Sequence, residues 1–253
     1  MKILISPAKS LNLDPLSSKI KSTDIIFKDE AWEISKILKQ KSPRELSSLM
    51  NISGKLAELN WKRNQEYARE FTNKNSKQAI YSFNGEVYNG INVDTISKTS
   101  IEFLQKNLRI LSGQYGLLKP LDLIMPYRLE MGTKLSIDGN KNLYDYWGDK
   151  ITTQLNSELN DDDIIINLAS NEYFKSVRKN LIKAEIITPI FKDYKNGTLK
   201  TISFFAKKAR GQMVRYITDN QIINDTERLK EFTIDGYIFD SKLSDNKNLI
   251  FIR

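Results

Sequence analysis

The chain has 253 residues, 40% of them hydrophobic, with 39 Lys and Arg against 31 Asp and Glu for a formal charge of +8. That length and apolar content support one sizeable core, expected as a single domain over 1–253. Neither Cys nor His occurs, which excludes disulfides, thiolate or imidazole metal centres, Ser-His-Asp triads and Cys nucleophiles, and leaves acid–base chemistry to Asp, Glu, Lys and Tyr.

The start, Met1 to Pro7, reads as a strand at Lys2–Ile5 entering a turn. It lacks the long apolar stretch of a signal peptide, and no apolar run is long enough to span a bilayer, so a cytoplasmic location is expected. Residues 29–40 place Trp32, Ile34, Ile37 and Leu38 at helical spacing. Ser42, Pro43 and Glu45 spell a capping box with proline at the first helical position, predicting a helix to about Met50. A second helix is expected from about Ser53 to Phe71, after the short connection Asn51-Ile52-Ser53-Gly54. The pair, spanning about 42–71, fits either a DNA-binding helix-hairpin-helix or an ordinary αα-hairpin. In the first case the N–H groups around Ser53, Gly54 and Lys55 would hold a phosphate at a helix start, without reading sequence. Asn51 and Ser53 stand where two glycines are usual, and only Gly54 is present.

Residues 78–88 and Leu108–Ser112 look like strands, 143–159 like one helix, and 164–168 like a buried strand. Asn196-Gly197 between 186–194 and 198–205 is a strong hairpin signal. A helix is expected over 207–220, then a terminal hairpin from 237–240 and 249–252. Helices and strands alternate irregularly and hairpins demand antiparallel pairing, so the fold class is α/β with a mixed α+β sheet core.

Charge is concentrated. Residues 171–215 hold eleven Lys and Arg against three acids, and the rest of the chain balances. Such an excess fits a polyanion, because clustered cations release counterions as they neutralise phosphates, and it fits equally a solvated face. Lys175, Lys207, Lys208, Arg210 and Arg215 are the candidate phosphate contacts. Phe204 and Phe205 beside them are expected in the core, with base stacking as the alternative.

Three further groups bear on chemistry. The stretch 111–132, broken by Gly113, Gly116, Pro120, Pro126 and Gly132, reads as an ordered loop that sets Tyr115, Asp122, Tyr127, Arg128 and Glu130 over a core. Arg128 and Glu130 are either an ion pair or a phosphate-and-base contact. Ser170 and Glu172 follow a strand end and open a helix, where α/β sheets bind anions. Lys55, placed like a Schiff-base lysine of a DNA glycosylase, lacks the aspartate such an enzyme needs about twenty residues later; Lys74 and Asn75 stand there. Lys55 and Glu130 are the only catalytic candidates. No metal site and no cofactor are expected.

The opening Lys2-Ile3-Leu4-Ile5-Ser6-Pro7-Ala8-Lys9, together with 112–132, 167–177 and 203–210, resembles the YaaA family of bacterial peroxide-stress proteins along essentially the whole chain. The resemblance implies a single-domain YaaA-type fold with a helix-hairpin-helix and a basic cleft, and Lys9, Lys55, Arg128, Lys175 and Arg210 are the residues expected here to border it. It implies binding of double- or single-stranded DNA without sequence preference, and limitation of free iron and of oxidative DNA damage under hydrogen-peroxide stress. The absence of His argues against an imidazole iron site. A monomer acting on DNA, away from membranes, is the first reading; an enzyme on DNA bases or nucleotides, glycosylase- or lyase-like, is the second.

Overall fold

The computed structural model describes residues 1–16 and 21–253. Strand β1 (Lys2–Ile5) is buried throughout, and β2 (Ser10–Leu11) follows at the surface. Helix α1 (Lys28–Lys39) buries Ala31, Ile34 and Leu38 on one face, with acids in its first turn and lysines in its last, as its dipole favours. Helix α2 (Pro43–Met50) starts on the capping box the sequence predicts: Ser42 accepts from Glu45 N, and Glu45 accepts from Ser42 N at 2.8 Å. Caps of this kind contribute about 1 kcal/mol. Asn51 ends the helix in the left-handed region (φ 49°), and Ser53 caps α3 (Gly54–Glu66). The hairpin exists, but α3 stops at Glu66 rather than near Phe71. Tyr67 turns extended there and takes its ring into the core against Trp32 and Tyr115.

Residues 78–88 are not a strand. They form β3 (Lys77–Gln78), α4 (Ala79–Ser82), β4 (Phe83–Asn84) and the start of α5 (Glu86–Ile91). The apolar residues there follow helical spacing as well as alternation: Val87, Gly90 and Ile91 are buried in α5. Helix α6 (Lys98–Asn107), capped by Ser97, leads into β5 (Leu108–Ser112), β6 (Gly116–Leu118) and β7 (Leu123–Ile124). The expected helix over 143–159 is two, α7 (Leu143–Trp147) and α8 (Lys150–Ser157), because Gly148 at φ +46° breaks it. After β8 (Ile164–Asn167) and α9 (Asn171–Phe174), β9 (Glu185–Lys195) and β10 (Thr198–Lys200) form the expected hairpin, with Asn196 and Gly197 both at positive φ. Helix α10 (Ser203–Asp219) begins four residues before the sequence suggests. Phe204 and Phe205 therefore lie in its first turn and are exposed, not in the core. Helix α11 (Thr226–Lys230) precedes the terminal antiparallel pair β11 (Ile238–Phe239) and β12 (Asn248–Ile252).

These strands build an eight-stranded mixed sheet ordered β11-β12-β9-β8-β1-β5-β6, with β10 paired to β9. Five of them, β5, β1, β8, β9 and β12, run parallel. Taken by position in the chain, their spatial order is second, first, third, fourth, fifth. The chain thus leaves β1 for one side of the sheet and returns to β8 on the other, which makes β1/β8 a topological switch point. Crevices outside the carboxyl ends of strands at such points are where open α/β sheets bind ligands. No helix among the described residues is long and apolar enough to cross a membrane.

Candidate nucleic-acid interface

The carboxyl end of β1 continues into Ser6-Pro7-Ala8-Lys9, and that of β8 into Leu168-Ala169-Ser170. The two segments are tied together. Ser170 N donates to Ser6 Oγ at 2.9 Å, and the two hydroxyls are 3.3 Å apart. Tyr88 of α5 donates its hydroxyl to the Ser6 carbonyl at 3.1 Å. The loop 127–132 lies over the same edge. It packs on Gly113, where a Cβ would stand 2.6 Å from the Leu129 carbonyl oxygen, so glycine is needed for the loop to come this close. Gly132 N donates to Glu172 Oε1 at 3.0 Å, and Tyr144 donates to the Glu172 carbonyl at 2.9 Å. Glu172 is thereby occupied in fastening the loop to α9.

Glu130 is shared between two cations. Lys9 Nζ stands 2.7 Å from its Oε2, and Arg128 reaches its Oε1 only at 3.4 Å. Arg128 is largely buried, and its Nε has no hydrogen-bond partner. Next to it on α3 is Arg63, whose pKa is lowered from the usual arginine value by burial and then by the Arg128 charge. The α3 face that carries Arg63 also buries Asn60 and Asn64. Lys175 is exposed at the end of α9 and lies over the Tyr144 ring, 4.8 Å from its centroid. Lys9, Arg128, Glu130, Ser170, Glu172 and Lys175 thus gather at the carboxyl edge of the sheet.

The other candidates divide. Ser53, Gly54 and Lys55 are exposed at the start of α3, and the Ser53 hydroxyl already accepts from Leu56 N. On α10, Lys207 is exposed, Lys208 pairs with Asp235 at 2.9 Å, and Arg215 pairs with Asp219 at 2.6 Å and donates to Thr95 Oγ1. Arg178 of the basic segment pairs with Asp149. Arg210 is partly covered, and burial lowers its pKa. These pairings reduce the free charge that a count of the basic segment suggests.

Tyr115, Asp122 and Tyr127 sit beneath the edge, with their polar atoms committed internally. Tyr115 OH lies 3.1 Å from both the carbonyl and the N–H of Met125, and Tyr127 OH lies 2.8 Å from Ser112 Oγ. Asp122 accepts from Thr23 Oγ1 at 2.6 Å and Lys119 N at 2.8 Å. Burial pushes the Asp122 carboxyl up from 3.8 to about 6. Between those values the unfolded chain ionises and the folded one does not, so folding loses stability as pH rises from 3.8 to about 6, and the loss is complete above that. The loss is on the order of 3 kcal/mol, from about 1.4 kcal/mol per pKa unit. Asp122→Asn removes it. Urea unfolding at pH 4 and pH 7 is expected to show the wild type losing that amount relative to the variant; equal pH dependence would refute the assignment.

At the opposite edge two cations share one half-buried acid. Lys2 Nζ is 3.2 Å from Glu158 Oε2, and Arg109 donates to the same oxygen through Nε at 2.7 Å. The carboxyl edge, where Arg128 Nε has no hydrogen-bond partner, is the candidate anion surface. Sequence reasoning did not single out Ser6, Tyr88, Asn60, Asn64 or Arg63. Only the strand order and the packing of α3 under the loop bring them to this edge. Among the described residues, no group of three or more Asp and Glu is placed to hold a metal ion.

A family model described as peroxide stress protein YaaA matches residues 1–243. A UPF0246 protein of Flavobacterium johnsoniae is 52% identical over 255 residues and covers the whole of both chains. Those of Flavobacterium psychrophilum and Teredinibacter turnerae are 51% and 50% identical, again across the whole of this chain.

Proposed function

We propose that this chain, which belongs to the peroxide stress protein YaaA family, is a cytoplasmic DNA-binding protein that contacts phosphates without reading sequence. The observation that carries this reading is the carboxyl edge of the sheet, where Lys9, Arg128 and Lys175 collect around a switch point with Glu130 as their partly exposed acid. Lys55 at the start of α3 and Lys207 in the first turns of α10 extend the surface, and the N–H groups opening α3 add a helix terminus suited to an anion. On this reading the α2–α3 hairpin is a helix-hairpin-helix and the edge is one side of a basic cleft.

Bound along DNA, the protein shields it from iron-dependent oxidation. Among the described residues no carboxylate cluster is placed to ligate Fe(II) directly, and on this reading the effect on iron is indirect. The exposed Phe204 and Phe205 give a means of stacking an unpaired base. The enzymatic alternative has less support: Lys55 is exposed at a helix start, and Glu130 is held between two cations.

Fluorescence anisotropy with a labelled duplex of random sequence tests the proposal. The expected affinity falls steeply with salt, the slope of log affinity on log salt growing by about 0.9 per phosphate contact. Equal affinity at 50 and 200 mM salt, or no binding at either, would overturn it.

A further inference from the structure

Arginine side chains that lose water normally gain carboxylates or carbonyls in exchange, because an unpaired buried donor costs about 1–3 kcal/mol, and more when charged. Arg128 does not follow that rule, and Arg63 follows it only through one long hydrogen bond. Both are partly buried, burial and then the Arg128 charge depress the Arg63 pKa, and the hydrogen bonds they donate are long: to Asn60 Oδ1 at 3.4 Å from Arg63 and to Glu130 Oε1 at 3.4 Å from Arg128. Arg128 Nε is fully covered with no acceptor, and so is Asn64 Nδ2, on the α3 face that carries Arg63. Two cations with only long acceptors of their own suit an anion with several oxygens.

We propose that Arg63 and Arg128 form a seat for a phosphate monoester, with Glu130 as the internal carboxylate that the phosphate displaces. A phosphate offers several acceptor oxygens to two forked donors at once, a match that a single carboxylate at 3.4 Å does not achieve. Displaced from Arg128, Glu130 keeps Lys9 as its counter-ion at 2.7 Å. The seat adjoins the switch point, where open α/β sheets take nucleotides, so a nucleoside monophosphate or the phosphorylated end of a strand fits the position. This deepens the reading of the same edge as a phosphate-binding surface, and the seat also binds small phosphates that span no DNA surface.

Isothermal titration with adenosine 5′-monophosphate, inorganic phosphate, and a short single strand with or without a 5′-phosphate tests it at low salt. The wild type is expected to bind the monophosphate, and to bind the 5′-phosphorylated strand at least tenfold more tightly than its 5′-hydroxyl counterpart. Equal binding of inorganic phosphate and the nucleotide would identify the phosphate alone as the ligand; tighter nucleotide binding would identify the nucleotide. Arg63→Gln and Arg128→Gln are each expected to weaken binding at least tenfold. Glu130→Gln, which removes the competing carboxylate, is expected to tighten it several-fold, an effect that damage to the fold would not produce. Failure of all four probes to bind overturns the seat, as does a Glu130→Gln variant that binds more weakly than wild type. Adenosine 5′-monophosphate and inorganic phosphate span no DNA surface, so their failure to bind reports loss of the seat, while loss of duplex binding reports loss of the proposed DNA surface.

Discussion

Gly211→Ala is expected to destabilise the fold severely. A Cβ at Gly211 would stand 1.8 Å from the Val87 carbonyl oxygen and 3.0 Å from Gly90 Cα. From the other side, a Cβ at Gly90 would lie 2.3 Å from the Lys208 carbonyl oxygen. Helices α5 and α10 therefore touch backbone to backbone, and no side chain can rotate away to make room. Overpacking a core typically costs about 1–3 kcal/mol where side chains yield, so a clash of main chains is expected to exceed that range. Against a total stability of about 5–15 kcal/mol this is a large share. Parting the helices also disturbs the site, since α5 carries Tyr88, which anchors Ser6, and Arg215 of α10 donates to the carbonyls of Ile91 and Asn92. Gly54→Ala is the control, because nothing lies within 4 Å of a Cβ there. Urea unfolding is expected to leave Gly54→Ala at or above the wild-type midpoint and to move Gly211→Ala far below it. Equal midpoints would contradict the close helix contact.

What could be read along the chain was what depends on near neighbours. The Ser42 capping box, the Asn196-Gly197 hairpin, the buried strands at Lys2–Ile5 and 164–168 and the terminal hairpin all follow from residues a few positions apart. The errors occurred where distant packing decides. Residues 78–88 carry strand-forming side chains, yet α5 forms because Gly90 lets α10 approach. Phe204 and Phe205 look like core residues, yet α10 starts at Ser203 and turns them outward. The same limit applies at the site. Arg128, Glu130, Ser170 and Glu172 were legible because broken loops and strand ends have a local signature. Arg63 was not, because its role depends on a loop 65 residues later lying over one face of α3. The charge count of 171–215 overstated the available cations, since Arg178, Lys208 and Arg215 each have an acid within 3 Å.

The carboxyl edge of the sheet is the surface proposed to meet DNA. Two fourfold variants with the same net charge separate that surface from charge in general. In one, Lys9, Lys55, Lys175 and Lys207 are replaced by Glu; all four are exposed, and they follow β1, open α3, follow α9 and lie in α10. In the other, Lys106, Lys183, Lys242 and Lys247 are replaced by Glu; these are exposed at the opposite edge, just before β5, before β9, or in the turn between β11 and β12. Anisotropy titration of a random-sequence duplex against salt compares them with wild type. The first variant is expected to lose at least about 100-fold in affinity and about three to four units of salt slope, because each lysine removed from a phosphate lowers the slope by about one. The second is expected to stay within about tenfold of wild type. Equal losses in the two variants, or a first variant that binds like wild type, would contradict the assignment of this edge to DNA.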